Sequence, residues 1–273
     1  MRHLGVDVSH WQSHIDWPVF KAGGCDFATV KVSQGDYLVD PMRTDHLNGA
    51  HGAGILATGA FFWVDPCVSA QANVDKALSA CAGLPVTYLC PDVEQWWTNW
   101  DAWRLWLAGN GPMPTKFSPA NLASHTRQVM SYLKSNDPRP IKLYTRREFI
   151  TSYMPQLTTF SEFPSWDLYL AQYPKQPPAK LSVTWEYLRS SWLPAESWSP
   201  AVPPNGRPCK MVQFSGDRFI LPGYRGVIDL DFFDGTEAEF STFFGLSPLT
   251  SPPLPTDTEK LAQLWAWYKE SHP

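Results

Sequence analysis

The chain has 273 residues, 44% of them hydrophobic and 18% charged, which supplies a sizeable core and excludes a disordered or fibrous protein. A formal net charge of -4 removes the basic face that a nucleic-acid partner would require. No apolar run approaches the ~18 residues of a membrane span.

In chain order, strands are expected at residues 4–9, 27–33, 55–64, 86–89, 141–144, 168–172, 211–214 and 227–230, and helices at 17–22, 43–52, 69–81, 121–136 and 147–154. Several strands are apolar throughout, the pattern of a sheet covered on both faces. Strands alternating with helices imply βα units and a largely parallel sheet, and eight strands imply a barrel. Few helices separate the later strands, so the barrel is expected to be irregular. Two insertions, 95–118 and 174–208, break the alternation. The first carries Trp96, Trp97, Trp100, Trp103 and Trp106, and the second Trp185, Trp192 and Trp198. Loops of this length are functional or disordered, and their aromatic content argues against disorder. Most of the 14 tryptophans are expected to pack in the core, and the rest to stack on a ligand.

The expected organisation is a barrel over residues 1–246, a Pro-rich linker over 247–255 and an amphipathic helix over 256–273. Thr256 and Glu259 fit a capping box, and Leu261, Leu264, Trp265 and Tyr268 share one helical face. So short a helix needs a surface to dock on. Its own barrel, a second copy of the chain and a partner such as a virion protein all stay open. The five cysteines show neither C-x-x-C nor zinc spacing and are expected to be free thiols.

The stretch LCPDVEQWW places Asp92 and Glu94 two apart where an apolar strand ends. In a parallel barrel the C-terminal strand ends form the site, and alternate side chains share a side. Asp92 and Glu94 therefore point the same way. Asp7 ends the first strand and Asp229 lies late in the eighth, and barrel closure makes those strands neighbours. Crowded carboxylates raise one another's pKa, which leaves a proton donor beside an anion. Glycoside hydrolysis needs that pair. Caps, salt bridges and a metal site are the competing readings, although no histidine pattern accompanies the acids.

Those acids sit in GVDVSHWQSHIDW, PDVE and VIDLDFFDG, and FATVKVSQG, GAFFWVDP, KLYT, LYLAQY and QFSG lie between them. In the chain order of these stretches, from residue 4 to about 244, the chain resembles the glycoside hydrolase family 25 muramidases, the Chalaropsis-type lysozymes of phages, fungi and bacteria. The resemblance implies an irregular TIM-like (β/α)5β3 barrel and cleavage of the β-1,4 bond between N-acetylmuramic acid and N-acetylglucosamine in peptidoglycan. It makes Glu94 the general acid and Asp92 its carboxylate partner, with Asp7 and Asp229 orienting substrate or water. Tyr144, Gln172, Tyr173 and Gln213 fall where the family lines its groove, and Phe62, Trp63 and Trp96 are added as sugar contacts. No cofactor or metal is implied.

Three stretches depart from the family pattern. Phe61, Phe62 and Trp63 stand where many members read Y-H-F, Gln34 where an acid often follows the second strand, and Tyr169 where a Trp is frequent. The alternative reading is a glycan-binding or virion-associated structural protein that kept the barrel without turnover. MRHLGVDVSHW lacks the apolar stretch of a secretory signal, so the expectation is a phage lysin made in the host cytoplasm. Such a protein acts on the cell wall after release or as part of a virion.

Overall fold

The computed structural model describes residues 2–246. The linker at 247–255 and the helix at 256–273 lie outside the described residues. Ten strands are present: β1 (Arg2–Val8), β2 (Cys25–Gln34), β3 (Leu38–Val39), β4 (Ala57–Trp63), β5 (Tyr88–Asp92), β6 (Lys142–Thr145), β7 (Asp167–Ala171), β8 (Leu181–Ser182), β9 (Met211–Ile220) and β10 (Ile228–Asp234). The helices are α1 (Trp17–Ala22), α2 (Arg43–Gly52), α3 (Ala70–Cys81), α4 (Trp100–Leu107), α5 (Pro119–Asn136), α6 (Arg147–Tyr153), α7 (Trp185–Ser191) and α8 (Glu237–Phe243).

Eight strands close into a barrel in the order β1-β10-β9-β7-β6-β5-β4-β2, with β1 pairing β2. Five parallel strands are each followed by a helix, and β7, β9 and β10 complete the ring, which is the expected (β/α)5β3 plan. All eight expected strands and all five expected helices occur. The helix starts follow from local chemistry. Ser69 and Ser118 accept hydrogen bonds from Ala72 N and Asn121 N, and Pro119 opens α5 with its φ already set.

The main topological difference is β10. It is longer than expected and antiparallel to both β1 and β9. Asp229 is therefore the second residue of its strand rather than a late one, and the reversed direction carries it to the end of the barrel where Asp7 lies. The two are paired in register. Helices α4, α7 and α8 were not expected. The first two sit inside the tryptophan-rich insertions, whose aromatic density hid their period. The last carries a complete capping box, Thr236 with Glu239, that is legible in the sequence.

Alternation along the strands sorts the core into two layers. Leu4, Val6, Val30, Leu89, Leu143, Leu170, Val212 and Phe214 face outward with Leu47, Ala77, Leu122 and Val129 of the surrounding helices. Phe27, Tyr88, Cys90, Tyr169, Met211 and Phe233 face inward and pack with Phe240 and Phe244. Glycine makes room inside the barrel: a Cβ on Gly59 would stand 2.1 Å from the Tyr88 ring. The pairing of Arg2 with Asp234 places the end of β10, and hence α8, at the N-terminal end of the barrel. Aromatic residues thus fill that end. The opposite end is left to polar groups.

Candidate active site

At that opposite end a cleft of about 1020 Å³ is lined by Asp7, Asp92, Glu94 and Asp229 together with Lys31, Phe61, Trp63, Tyr144, Arg146, Tyr169, Tyr173 and Gln213. Strand periodicity explains why these side chains converge. Asp92 ends β5 and Glu94 follows two residues later, while Val93 between them is buried in the outer layer. Asp92 pairs in register with Trp63 on one side and Tyr144 on the other. All four predicted acids meet in one cleft.

Gln213 joins the two sides of this cleft. Its Nε2 donates to Asp7 Oδ2 at 2.7 Å and reaches Asp229 Oδ2 at 3.4 Å. Its Oε1 accepts from Tyr144 at 2.9 Å and from Tyr173 at 2.6 Å. A fifth acid, Asp231, completes the cluster below. It is fully buried, and the Tyr169 hydroxyl lies 2.5 Å from its Oδ1 and 3.3 Å from Asp7 Oδ2. Asp92 Oδ1 and Asp231 Oδ2 are buried without a hydrogen-bond partner among the described residues. A buried carboxylate oxygen with no donor beside it is costly unless the group binds a proton.

The electrostatics agree. Burial raises Asp7, Asp92 and Asp231 well above the usual aspartate range. Asp229 is pushed up to about 8, first by burial and then by the Asp7 charge. Glu94 is raised by burial and pulled back by the Arg146 guanidinium, whose Nε lies 3.2 Å from Glu94 Oε1. Crowding was expected to be the main cause. Desolvation is the largest cause for every one of these acids; repulsion from a neighbouring carboxylate comes second for Asp7, Asp92 and Asp229, stands behind the Tyr169 hydrogen bond for Asp231, and for Glu94 the second influence is the opposing Arg146 cation.

Of the expected sugar contacts, Tyr144, Tyr173, Gln213 and Trp63 line the cleft. Three do not. Phe62 is buried in the outer layer between sheet and helices, because alternation along β4 turns Phe61 and Trp63 inward instead. Trp96 stacks on Tyr153 with ring centroids 5.6 Å apart, away from the cleft. Gln172 points out of the barrel and accepts a hydrogen bond from Ala201 N at 3.0 Å. Among the lining residues not predicted as site residues are Phe61, Arg146, Trp11, Lys31 and Tyr169, the last as the hydrogen-bonding partner of Asp231. Trp11, 79% exposed in the opening motif, presents a broad aromatic face at the cleft.

The first insertion acts behind Trp63. Trp63 donates to Gln95 Oε1 at 3.1 Å, and Gln95 and Trp100 both donate to the buried carboxylate of Asp65, at 3.0 and 3.1 Å. Trp97 stacks on Trp103 at 4.4 Å and meets Trp100 edge-on. None of Trp96, Trp97, Trp100, Trp103 or Trp106 lines the cleft. In the second insertion Trp185 packs on Phe20 and Trp198 on Phe232, whereas Lys180 reaches the cleft.

A family model described as "Glycosyl hydrolases family 25" matches residues 6–198. Lysozyme M1 of Streptomyces globisporus is 37% identical over 65 residues, a stretch covering 24% of this chain and 22% of that protein. The crystal structure of a bacterial lysozyme from Streptomyces coelicolor superposes with a TM-score of 0.66 at 19% identity, covering 89% of this chain and 98% of that one. The catalytic domain of endolysin ply40 from bacteriophage P40 of Listeria monocytogenes gives 0.62 at 15% identity, with coverage of 90% and 98%. At these identities the structural likeness concerns the fold. Among the described residues no helix is long and apolar enough to cross a membrane.

Proposed function

Because the chain belongs to glycosyl hydrolases family 25, we propose that it hydrolyses the β-1,4 bond between N-acetylmuramic acid and N-acetylglucosamine in peptidoglycan, with Glu94 as general acid. One observation carries this reading: Asp7, Asp92, Glu94 and Asp229 converge in one cleft with Asp231 buried beneath them, and the most accessible member of the D-x-E pair is the glutamate. The Glu94 side chain keeps about a fifth of its surface open, at 22%, while Asp92 beneath it is 5% exposed as a residue. Glu94 can reach a glycosidic oxygen and Asp92 cannot reach as far.

The other groups then divide the work. Glu94 protonates the leaving oxygen. Whichever of Asp92, Asp7 or Asp229 is ionised supplies negative charge to the developing oxocarbenium ion, and the protonated ones orient its attacker. Gln213 fixes Asp7 and Asp229 relative to each other through its amide, and Tyr144 and Tyr173 fix Gln213 in turn. Trp63 and Trp11 offer flat apolar faces to the sugar rings.

The names of the lysozyme and endolysin relatives support a lysin that acts on the bacterial wall. A size measurement on the chain cut after Pro255 tests association through residues 256–273, and an unchanged size removes that idea. The activity is tested by release of reducing ends from purified peptidoglycan and from chitin. Release from peptidoglycan is expected. Binding to peptidoglycan with no reducing ends released would instead identify a glycan-binding protein without turnover.

A further inference from the structure

A general acid must hold a proton, yet the only carboxylate paired with Arg146 among the described residues is Glu94 itself. An ion pair of this kind favours the ionised acid, which works against the role. Arg146 sits two residues beyond Tyr144 on β6, so the same alternation that aims Tyr144 inward aims Arg146 at the cleft. Its side chain is 52% exposed and touches Glu94 through Nε, the inner nitrogen of the guanidinium. Its guanidinium lies 5.8 Å from the Tyr173 ring centroid, and no second carboxylate is paired with it among the described residues, although a guanidinium can grip a carboxylate in a two-pronged fork. Lys180 and Arg218 line the same cleft, again with no carboxylate bound to either among the described residues.

Resting on the muramidase reading, we propose that Arg146 is the receptor for a carboxylate carried by the glycan, and that Glu94 is the partner it releases when that carboxylate binds. The two sources of such a group are the lactyl side chain of a peptide-free muramic acid and the stem peptide. Engagement of Arg146 by the substrate removes the cation that draws the Glu94 carboxyl back toward ionisation. Glu94 then takes a proton from solvent, in a setting where the other groups on the cleft walls favour it. Asp92 on β5, Asp7 on β1 and Asp229 on β10 are negative or raised acids. Lys31 on β2 acts first on Asp92, and Tyr144 and Tyr173 stay neutral. A substrate without the carboxylate leaves Arg146 on Glu94, where the proton is held less firmly. Arg146 thereby ties selection of the substrate to arming of the acid.

Calorimetry on Glu94→Gln and on Glu94→Gln with Arg146→Gln separates this from a structural role, since neither variant turns the ligand over. The probes are the N-acetylglucosaminyl-N-acetylmuramic acid disaccharide, its lactyl methyl ester, and the disaccharide bearing a stem peptide. Loss of Arg146 is expected to weaken the free acid about tenfold while leaving the ester unchanged, the size of one charge-assisted contact. If the peptide form alone weakens, the stem is the source of the carboxylate. Arg146→Lys, which keeps the charge and loses the fork, is expected to recover part of the binding. Equal weakening of acid, ester and peptide form, or no change in any, overturns the proposal and leaves the muramidase reading standing. Failure of the wild-type chain to release reducing ends from peptidoglycan overturns both.

Discussion

The two ends of one barrel handle buried charge in opposite ways. At the base, Lys142 has a side chain only 1% exposed, yet its Nζ lies 2.7 Å from Asp167 and 3.3 Å from the Phe243 ring centroid, and Arg207 reaches the same aspartate at 2.8 Å. Phe27, Tyr88, Phe233, Phe240 and Phe244 close the space around them. At the mouth, Asp7, Asp92, Glu94 and Asp229 converge above the buried Asp231, with Arg146 on Glu94 and Lys31 nearby. Charge at the base is neutralised by partners, whereas at the mouth it is neutralised mainly by protons. A proton can be given away, and a structural counter-ion cannot, so chemistry belongs to the mouth.

Substitutions sharpen that contrast. Glu94→Gln keeps shape and loses the acid, and it is expected to lower kcat on peptidoglycan by about 10²–10⁴ with no loss of thermal stability. Phe244→Ala at the base is expected to cost about 3–5 kcal/mol in urea unfolding, while activity per folded molecule is retained. If the two variants exchanged these effects, the division between the ends would fail.

The pH dependence of stability comes next. The Asp229 carboxyl stands near 8 in the fold against an ordinary 3.8, so the folded protein binds the extra proton between those values. Its contribution to stability is complete below 3.8 and is lost as pH rises through about 8. Asp7, Asp92, Asp231 and Glu94 shift in the same direction. Unfolding free energy is therefore expected to fall as pH rises over that range, and Asp229→Asn should flatten the slope. A slope of the opposite sign in urea titrations at several pH values contradicts the proton-based account. The smallest effect is expected at Trp103, which supports Trp97 from behind: Trp103→Ala should lower the melting temperature and leave kcat on peptidoglycan close to wild type.

Much of the mouth was legible because strand alternation is a rigid rule. Asp92 and Glu94 share a side, and they do line one cleft. The same rule, applied to VIDLDFF, places Asp231 beside Asp229, and applied to KLYTRR it turns Arg146 inward with Tyr144. Applied to AFFW it would have chosen Phe61 over Phe62. Asp229 reached its place for a reason that periodicity does not contain, the reversal of β10. Periodicity also says nothing about which tryptophans meet a sugar, since packing partners such as Tyr153 for Trp96 and Phe20 for Trp185 come from distant parts of the chain. The balance between burial and repulsion likewise depends on how deep each acid lies.

The proton on Glu94 is the point on which the mouth depends, and it can be observed directly. With glutamate labelled at its side-chain carboxyl carbon, the resonance lost in Glu94→Gln identifies Glu94, and its shift can be followed against pH. A midpoint above the ordinary glutamate value of 4.5 is the predicted result. A midpoint at or below 4.5 would show that the ion pair with Arg146 prevails over burial, and would contradict assignment of this residue as the proton donor.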